Sequence, residues 1–385
     1  MQTLLLTALL LSPQTSEPDF AKTWASVESA IKTRYYARVD RKDELERNLA
    51  KWGAKAKVAK TKSEFSSAVN EMIDAFGDSH FDFFTEEDQG FFVMMGLLGD
   101  TSKKMANIDA WFKPAKDGYT IQMLMNGGAA EAAGLRKGDV ITLIEGKPFT
   151  PIESLREFVG KDASISYLRK GKAMETKVSV DEDPGVNMFL NGTRRSRQII
   201  ERNGKKIGYF RLWTMAAEPF KQALESAVYG PLVNTDAMIL DIRDGFGGRP
   251  EGYGDPFFRP EVNIEWKFGP NPPSKQLFGY QRPLVVLINE GSRSAKEVFS
   301  YIIKQSKRAT LIGSRTAGHV LGTSPMPIEN WAVLEIPMVE VRTDGNRLEG
   351  KGVEPDIQVP VEFDENGNDL VLNRGIEELL KKLGK

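Results

Sequence analysis

The chain contains no cysteine, and its only histidines among 385 residues are His80 and His319. The first absence removes disulfides, thiolate nucleophiles and cysteine-ligated zinc together. The second leaves no material for a histidine-rich metal centre, and no metal or organic cofactor is expected. Any imidazole chemistry must use one of two rings. An excess of charge of one sign is missing too: 52 Lys and Arg stand against 53 Asp and Glu, a net charge of −1. A protein that tracks a phosphate backbone needs a basic excess to displace counterions, so nucleic acid is not an expected partner. No apolar run is long enough to cross a bilayer as a helix, which argues against stable membrane insertion. The run from Leu4 to Leu11, followed by Ser12-Pro13, has the length of a signal-peptide core. It predicts a leader over residues 1–17 and an exported protein, periplasmic or secreted.

What is present is ordinary for a soluble globular protein, with 41% hydrophobic and 27% charged residues. The length predicts more than one core. Over residues 18–89, apolar residues such as Trp24, Val27, Ala30 and Ile31 recur at helical spacing, and Gly77 suits a helix end, so a small helical N-terminal domain is expected. Residues 90–185 read differently. Short β-rich runs, 119–124 and 139–144, alternate with glycine turns. Between them lies Asn126-Gly127-Gly128-Ala129-Ala130-Glu131-Ala132-Ala133-Gly134-Leu135-Arg136-Lys137-Gly138-Asp139, which resembles the signature of a PDZ domain. The upstream Gly96, Leu97 and Leu98 look like that domain's carboxylate-binding loop, whose successive amides would cradle a peptide's end. An ordinary turn is the other reading. Over 186–362, buried-type strands at 206–212, 237–243 and 284–289 alternate with helices at 220–228 and 295–307, the pattern of an α/β domain. Residues 363–385 close on a helix.

Ser292 and Ser294 stand between a buried strand and a helix. That junction offers a crevice at the sheet's carboxyl end and a helix N-terminus that favours a developing anion. For an isolated serine a plain helix cap is the other reading. Lys296, two positions on, points away from Ser294 and reads as a solvated charge.

Four motifs in order, with the PDZ-like segment among them, resemble the carboxy-terminal processing (tail-specific) serine proteases. They are Asp78-Ser79-His80, Leu240-Asp241-Ile242-Arg243 with Gly247-Gly248, Ser294-Ala295-Lys296-Glu297 leading to Gly313–Gly318, and Gly352-Val353-Glu354-Pro355-Asp356. The resemblance implies a multidomain α/β fold with a ClpP/crotonase-like core, and Ser294 as nucleophile. Where many members carry an activating lysine, this chain has Thr316-Ala317-Gly318-His319-Val320, so the serine–lysine dyad is absent. The tricorn-like branch, which uses histidine, is the nearer match. It implies His80 as base, oriented by Ser79 and by Glu349, with Glu354 close by as the other candidate and His319 as an alternative base. The Ala295 amide and a glycine amide from Gly247 or Gly248 would form the oxyanion hole. The implied function is an endopeptidase acting through an acyl-Ser294 intermediate on polypeptides presented by their C-termini. Two other classes share these residues: a degenerate peptide-binding protein that relies on its PDZ domain, and an esterase. Oligomeric state is not legible.

Overall fold

The near-continuous apolar runs become the middle of a six-stranded sheet in the computed structural model, which describes residues 17–384. The leader expected over residues 1–17 lies almost wholly outside that range. Strands Ala237–Asp241 and Leu284–Ile288 are buried at every position, because helices cover both faces. Across the sheet the order is 198–202, 205–211, 237–241, 284–288, 310–313 and 357–358, parallel except for the first pair. The helix Ala295–Ser306 follows the central strand 284–288, and the closing helix Leu370–Lys382 packs on the opposite face against Val285 and Leu287.

The expected N-terminal helices are Phe20–Arg34, Lys42–Ala56 and Lys62–Phe76. The last ends at Gly77 with φ +66°, a left-handed cap that glycine adopts without a Cβ penalty. These helices do not form a separate unit. Their core continues into Ile328, Trp331, Leu334 and Ile336, and the strand Asp82–Thr85 pairs with Ala332–Val339, far along the chain.

The β-rich middle is a sheet in the order 110–115, 118–124, 140–144, 162–169 and 172–179. It joins the rest through a neck, where 104–107 pairs antiparallel with 181–184. One expectation fails here. Residues 89–97 form a helix, and Gly96, Leu97 and Leu98 are its last turn. The Leu98, Gly99 and Asp100 amides are already spent on the carbonyls of Met94, Gly96 and Met95. A helix C-terminus presents carbonyls and the negative end of the dipole, which repels a carboxylate. No carboxylate cradle forms at these residues. Their apolar side chains instead pack the helix against Gly185–Arg195 and line the cleft described below.

Candidate active site

The strand 284–288 ends in a tight turn that delivers Ser294 to the first turn of its helix. Ser294 holds φ +59° and ψ −126°, a conformation that a non-glycine residue adopts only when its surroundings impose it. Those surroundings are visible. The Ser294 amide donates to the His319 carbonyl at 2.7 Å and to Glu297 Oε2 at 3.3 Å. Glu297 is fully buried and also accepts from Thr316 Oγ1 at 2.6 Å, Gly318 N at 2.7 Å and His319 N at 2.7 Å. The glutamate of the Ser-Ala-x-Glu motif is therefore the clamp that ties the 316–319 turn beneath the serine. Ser292 plays a different part, for its hydroxyl is buried and donates to the Ile242 carbonyl at 2.9 Å.

Gly247 is pressed against this turn. A Cβ built on it would sit 2.2 Å from Ser294 Cβ, 2.7 Å from Ser294 Oγ and 2.9 Å from the Ala295 amide. Only glycine fits against Ser294 at this distance. Gly248 faces the other way: its φ is +130°, and a Cβ would strike the Met215 backbone at 2.3 Å. The Thr214 hydroxyl holds the Gly247 carbonyl at 2.9 Å. Ala295 is the first residue of its helix, where an amide has no intrahelical partner.

Ser294 and His80 line one cleft of about 1080 Å³, together with Phe246, Gly247, Arg293 and Glu335. His80 also holds a positive φ, +56°. The N-terminal helices hold the chain two residues earlier, at Asp78. That carboxylate accepts from the Tyr35 hydroxyl, from the Tyr36 hydroxyl at 2.9 Å and from Arg41 Nη1 at 2.8 Å. His80 Nδ1 lies 3.1 Å from Ser79 Oγ, which leaves Nε2 for the cleft. Burial, then the charge of Arg293 and the neighbouring His319 ring, pull the His80 pKa down to about 3, so the ring is neutral at physiological pH. Among the described residues no hydrogen bond joins His80 to Ser294.

The structure does not bring every expected residue together. Glu349 accepts from the amides of Val320 and Leu321, the latter at 3.2 Å, and makes no bond to Ser79 or His80. The expected Ser79–Glu349 relay is therefore not formed: the turn after His319 has taken the carboxylate. Glu354 is exposed and faces Arg315 at 3.9 Å. The His319 side chain is exposed and outside the cleft lining, 6.3 Å from the His80 ring between centroids. Lys296 is the largest correction. It is fully buried, with Nζ donating to the carbonyls of Trp213 at 2.9 Å and Asp244 at 2.5 Å.

Three further residues escaped the sequence reading. Asp82 and Glu335 are direct cross-strand partners. Burial raises both acids, Asp82 to about 6 against the pull of Arg293, and Glu335 to about 7 with Asp82's charge adding to the push. Arg293 lies over the Phe246 ring at 4.9 Å. The Leu-Asp-x-Arg motif, by contrast, is scaffolding. Arg243 is buried and joins Asp241 at 2.6 Å and Asp369 at 2.7 Å. The PDZ domain reaches this region through Lys137, which bonds Asp244 and Glu362, each at 2.9 Å.

An α/β sheet that raises a strained serine at its carboxyl edge, with a PDZ domain inserted ahead of it, is the build of a serine-type peptidase. Residues 206–359 match the model of peptidase family S41, and residues 96–158 match a PDZ domain. The carboxyl-terminal-processing protease of Synechocystis is 24% identical over 316 residues, 77% of this chain and 71% of that one. A tricorn protease homolog of Saccharolobus solfataricus is 25% identical over 258 residues, but the match covers only 24% of its length. Among solved structures, the tricorn protease superposes with a TM-score of 0.56 at 19% identity, over 95% of this chain and 37% of that one. The photosystem II D1 C-terminal processing protease does so with 0.52 at 17% identity, over 90% and 95%. At these identities the structural likeness is one of fold.

Proposed function

We propose that this protein cleaves polypeptides through an acyl-Ser294 intermediate, with His80 as general base. The observation that carries the reading is the packing of Gly247 on Ser294 Oγ and the Ala295 amide within a cleft that His80 shares. In this reading Ser294 Oγ attacks the scissile carbonyl carbon while His80 Nε2 takes the hydroxyl proton. The Ala295 and Gly247 amides face the oxygen that becomes negative. Collapse of the tetrahedral species breaks the C–N bond, and His80 returns the proton to the leaving amine. Water then repeats the sequence on the acyl-serine. Ser79, 3.1 Å from Nδ1, favours the ring orientation that turns Nε2 to the cleft. His319 serves through its backbone carbonyl, which fixes the Ser294 turn.

Polypeptide substrates follow from the family, and the PDZ domain is the element that would recruit them by their C-termini. That recruitment does not use residues 96–98. The PDZ edge strand Ala110–Ala115 is itself partly closed, because the buried Gln89 amide bonds Ala110 O at 3.0 Å and Phe112 N at 2.9 Å. The test is digestion of an unfolded polypeptide by the wild-type protein and by Ser294→Ala, with product termini read by mass spectrometry. New carboxyl and amino termini from the wild type alone support the reading. Equal digestion by both would remove it.

A further inference from the structure

Lys296 lies on the nucleophile's own helix, yet the chemistry above makes no use of it. A buried ammonium without a carboxylate partner is costly, so its contacts call for a physical explanation. They converge on one backbone segment. Nζ donates to the Trp213 carbonyl at 2.9 Å and to the Asp244 carbonyl at 2.5 Å. The Trp213 carbonyl also accepts the Phe246 amide at 3.0 Å. One side chain thus joins the end of strand 205–211, the turn at Asp244 and the helix that begins at Ala295. The segment it joins, Asp244 to Gly247, ends at the glycine pressed on Ser294 Oγ.

That segment needs a tie. Asp244 holds φ +55° and Gly245 φ +73°, so the chain turns sharply through conformations that an unrestrained loop leaves. Space for the tie is made by glycine: a Cβ on Gly245 would sit 1.9 Å from the Trp213 carbonyl oxygen and 3.2 Å from Lys296 Nζ. The side chain of Asp244 is held from the other side, by Arg211 at 3.0 Å, Lys137 at 2.9 Å and Asn289 Nδ2 at 3.0 Å. Backbone and side chain of the same residue are both fixed, the backbone by Lys296.

We propose that Lys296 is a positioning residue for the oxyanion site: its Nζ pins the Asp244–Gly247 turn to the nucleophile helix and so sets the Gly247 amide against Ser294. The inference rests on the reading of Ser294 as nucleophile. Burial, followed by the nearby charge of Arg211, pulls the Lys296 pKa well below that of a free lysine. A neutral amine keeps two N–H donors and makes the same two bonds, so the tie survives loss of the proton. Lysine fits because it reaches both carbonyls from a helix position that faces the interior. Methionine has the same length and no donor.

The experiment compares Lys296→Met with the wild type by peptide turnover, by the rate of Ser294 labelling with a fluorophosphonate, and by thermal unfolding. Lys296→Met loses two buried hydrogen bonds but also relieves the burial of a polar amine, effects of opposite sign, so Tm should change little. A displacement of the amide by about 1 Å should lower kcat about 10²-fold with KM little changed. Labelling, which also passes through a tetrahedral oxyanion, should slow in parallel. Wild-type kcat in a well-folded Lys296→Met protein would overturn the proposal, as would a loss matched by an equal loss of folded protein. Should Lys296→Met not fold, Lys296→Gln, which keeps a donor, is tested by inhibition. A peptide aldehyde, which forms a hemiacetal on the serine, should bind more weakly while the product peptide binds as before. Equal weakening of both contradicts the role. A wild-type protein that labels nowhere and cuts nothing refutes the peptidase reading itself, and this proposal with it.

Discussion

Asp82 and Glu335 face each other across the antiparallel pair that joins the N-terminal strand Asp82–Thr85 to the protease strand Ala332–Val339. Glu335 is 8% exposed, and among the described residues its side chain bonds the Thr323 hydroxyl alone, at 2.8 Å. Two carboxyls placed this way resist losing both protons, and Glu335 lines the same cleft as Ser294. This geometry gives the protein a stability term that depends on pH.

For Glu335 the folded pKa, raised by burial and by Asp82 to about 7, stands above the ordinary value of 4.5. The unfolded chain therefore ionises first as pH rises. The stability that protonated Glu335 contributes is complete below pH 4.5 and is lost as pH climbs to about 7. Glu335→Gln cannot ionise and escapes that loss. Its stability relative to the wild type should grow across this window by on the order of 2 kcal/mol and then level off. Urea unfolding of both proteins at about pH 4.5, 6 and 8 measures it. A difference that does not change with pH would mean that the pair ionises freely.

The acid limb of kcat/KM should lie far below the ordinary histidine value of 6.5, because burial and the Arg293 charge hold His80 near 3. Removing the charge with Arg293→Gln should move the limb upward, since a cation nearby disfavours imidazolium. Both profiles are best recorded with Glu335→Gln as background, so that the carboxyl near 7 does not overlap. A downward shift, or a limb already at the ordinary histidine value, contradicts His80 as the buried base.

The two neighbouring glycines should separate by phenotype. The methyl of Gly247→Ala would meet Ser294 Cβ at 2.2 Å and must push the nucleophile and the Gly247 amide apart, so turnover should fall by roughly 10²–10³, the scale of a lost oxyanion donor. Gly248→Ala strains a φ of +130° and strikes the Met215 backbone, so it should lower Tm. Parallel measurement of Tm and kcat decides. Full activity in Gly247→Ala would remove that amide from the site.

Much of this was legible in the sequence for an identifiable reason. Strands 237–241 and 284–288 are buried on both faces, so their apolar runs are unbroken, and the serine turn sits where such a strand must meet a helix. The errors have equally physical causes. Residues 89–97 are apolar on nearly every side, and their glycines look like a loop until the helix closes around them. Helical spacing says that Lys296 points away from Ser294, but not that this direction leads beneath the Asp244 turn instead of into water. Asp82 and Glu335 lie 253 positions apart in the chain (335 − 82), and only strand register makes them neighbours. Glu349 was matched by motif, whereas its carboxylate is claimed locally by two amides that no motif records.

Whether Ser294 is a nucleophile served by His80 is decided by its reaction with a fluorophosphonate. Intact-mass analysis of the wild type should show one adduct, mapped by peptide digestion to Ser294. His80→Ala should react at least about 10³-fold more slowly, and His319→Ala at close to the wild-type rate. An adduct on another residue, or a His80→Ala protein that labels as fast as the wild type while His319→Ala does not, would contradict this assignment.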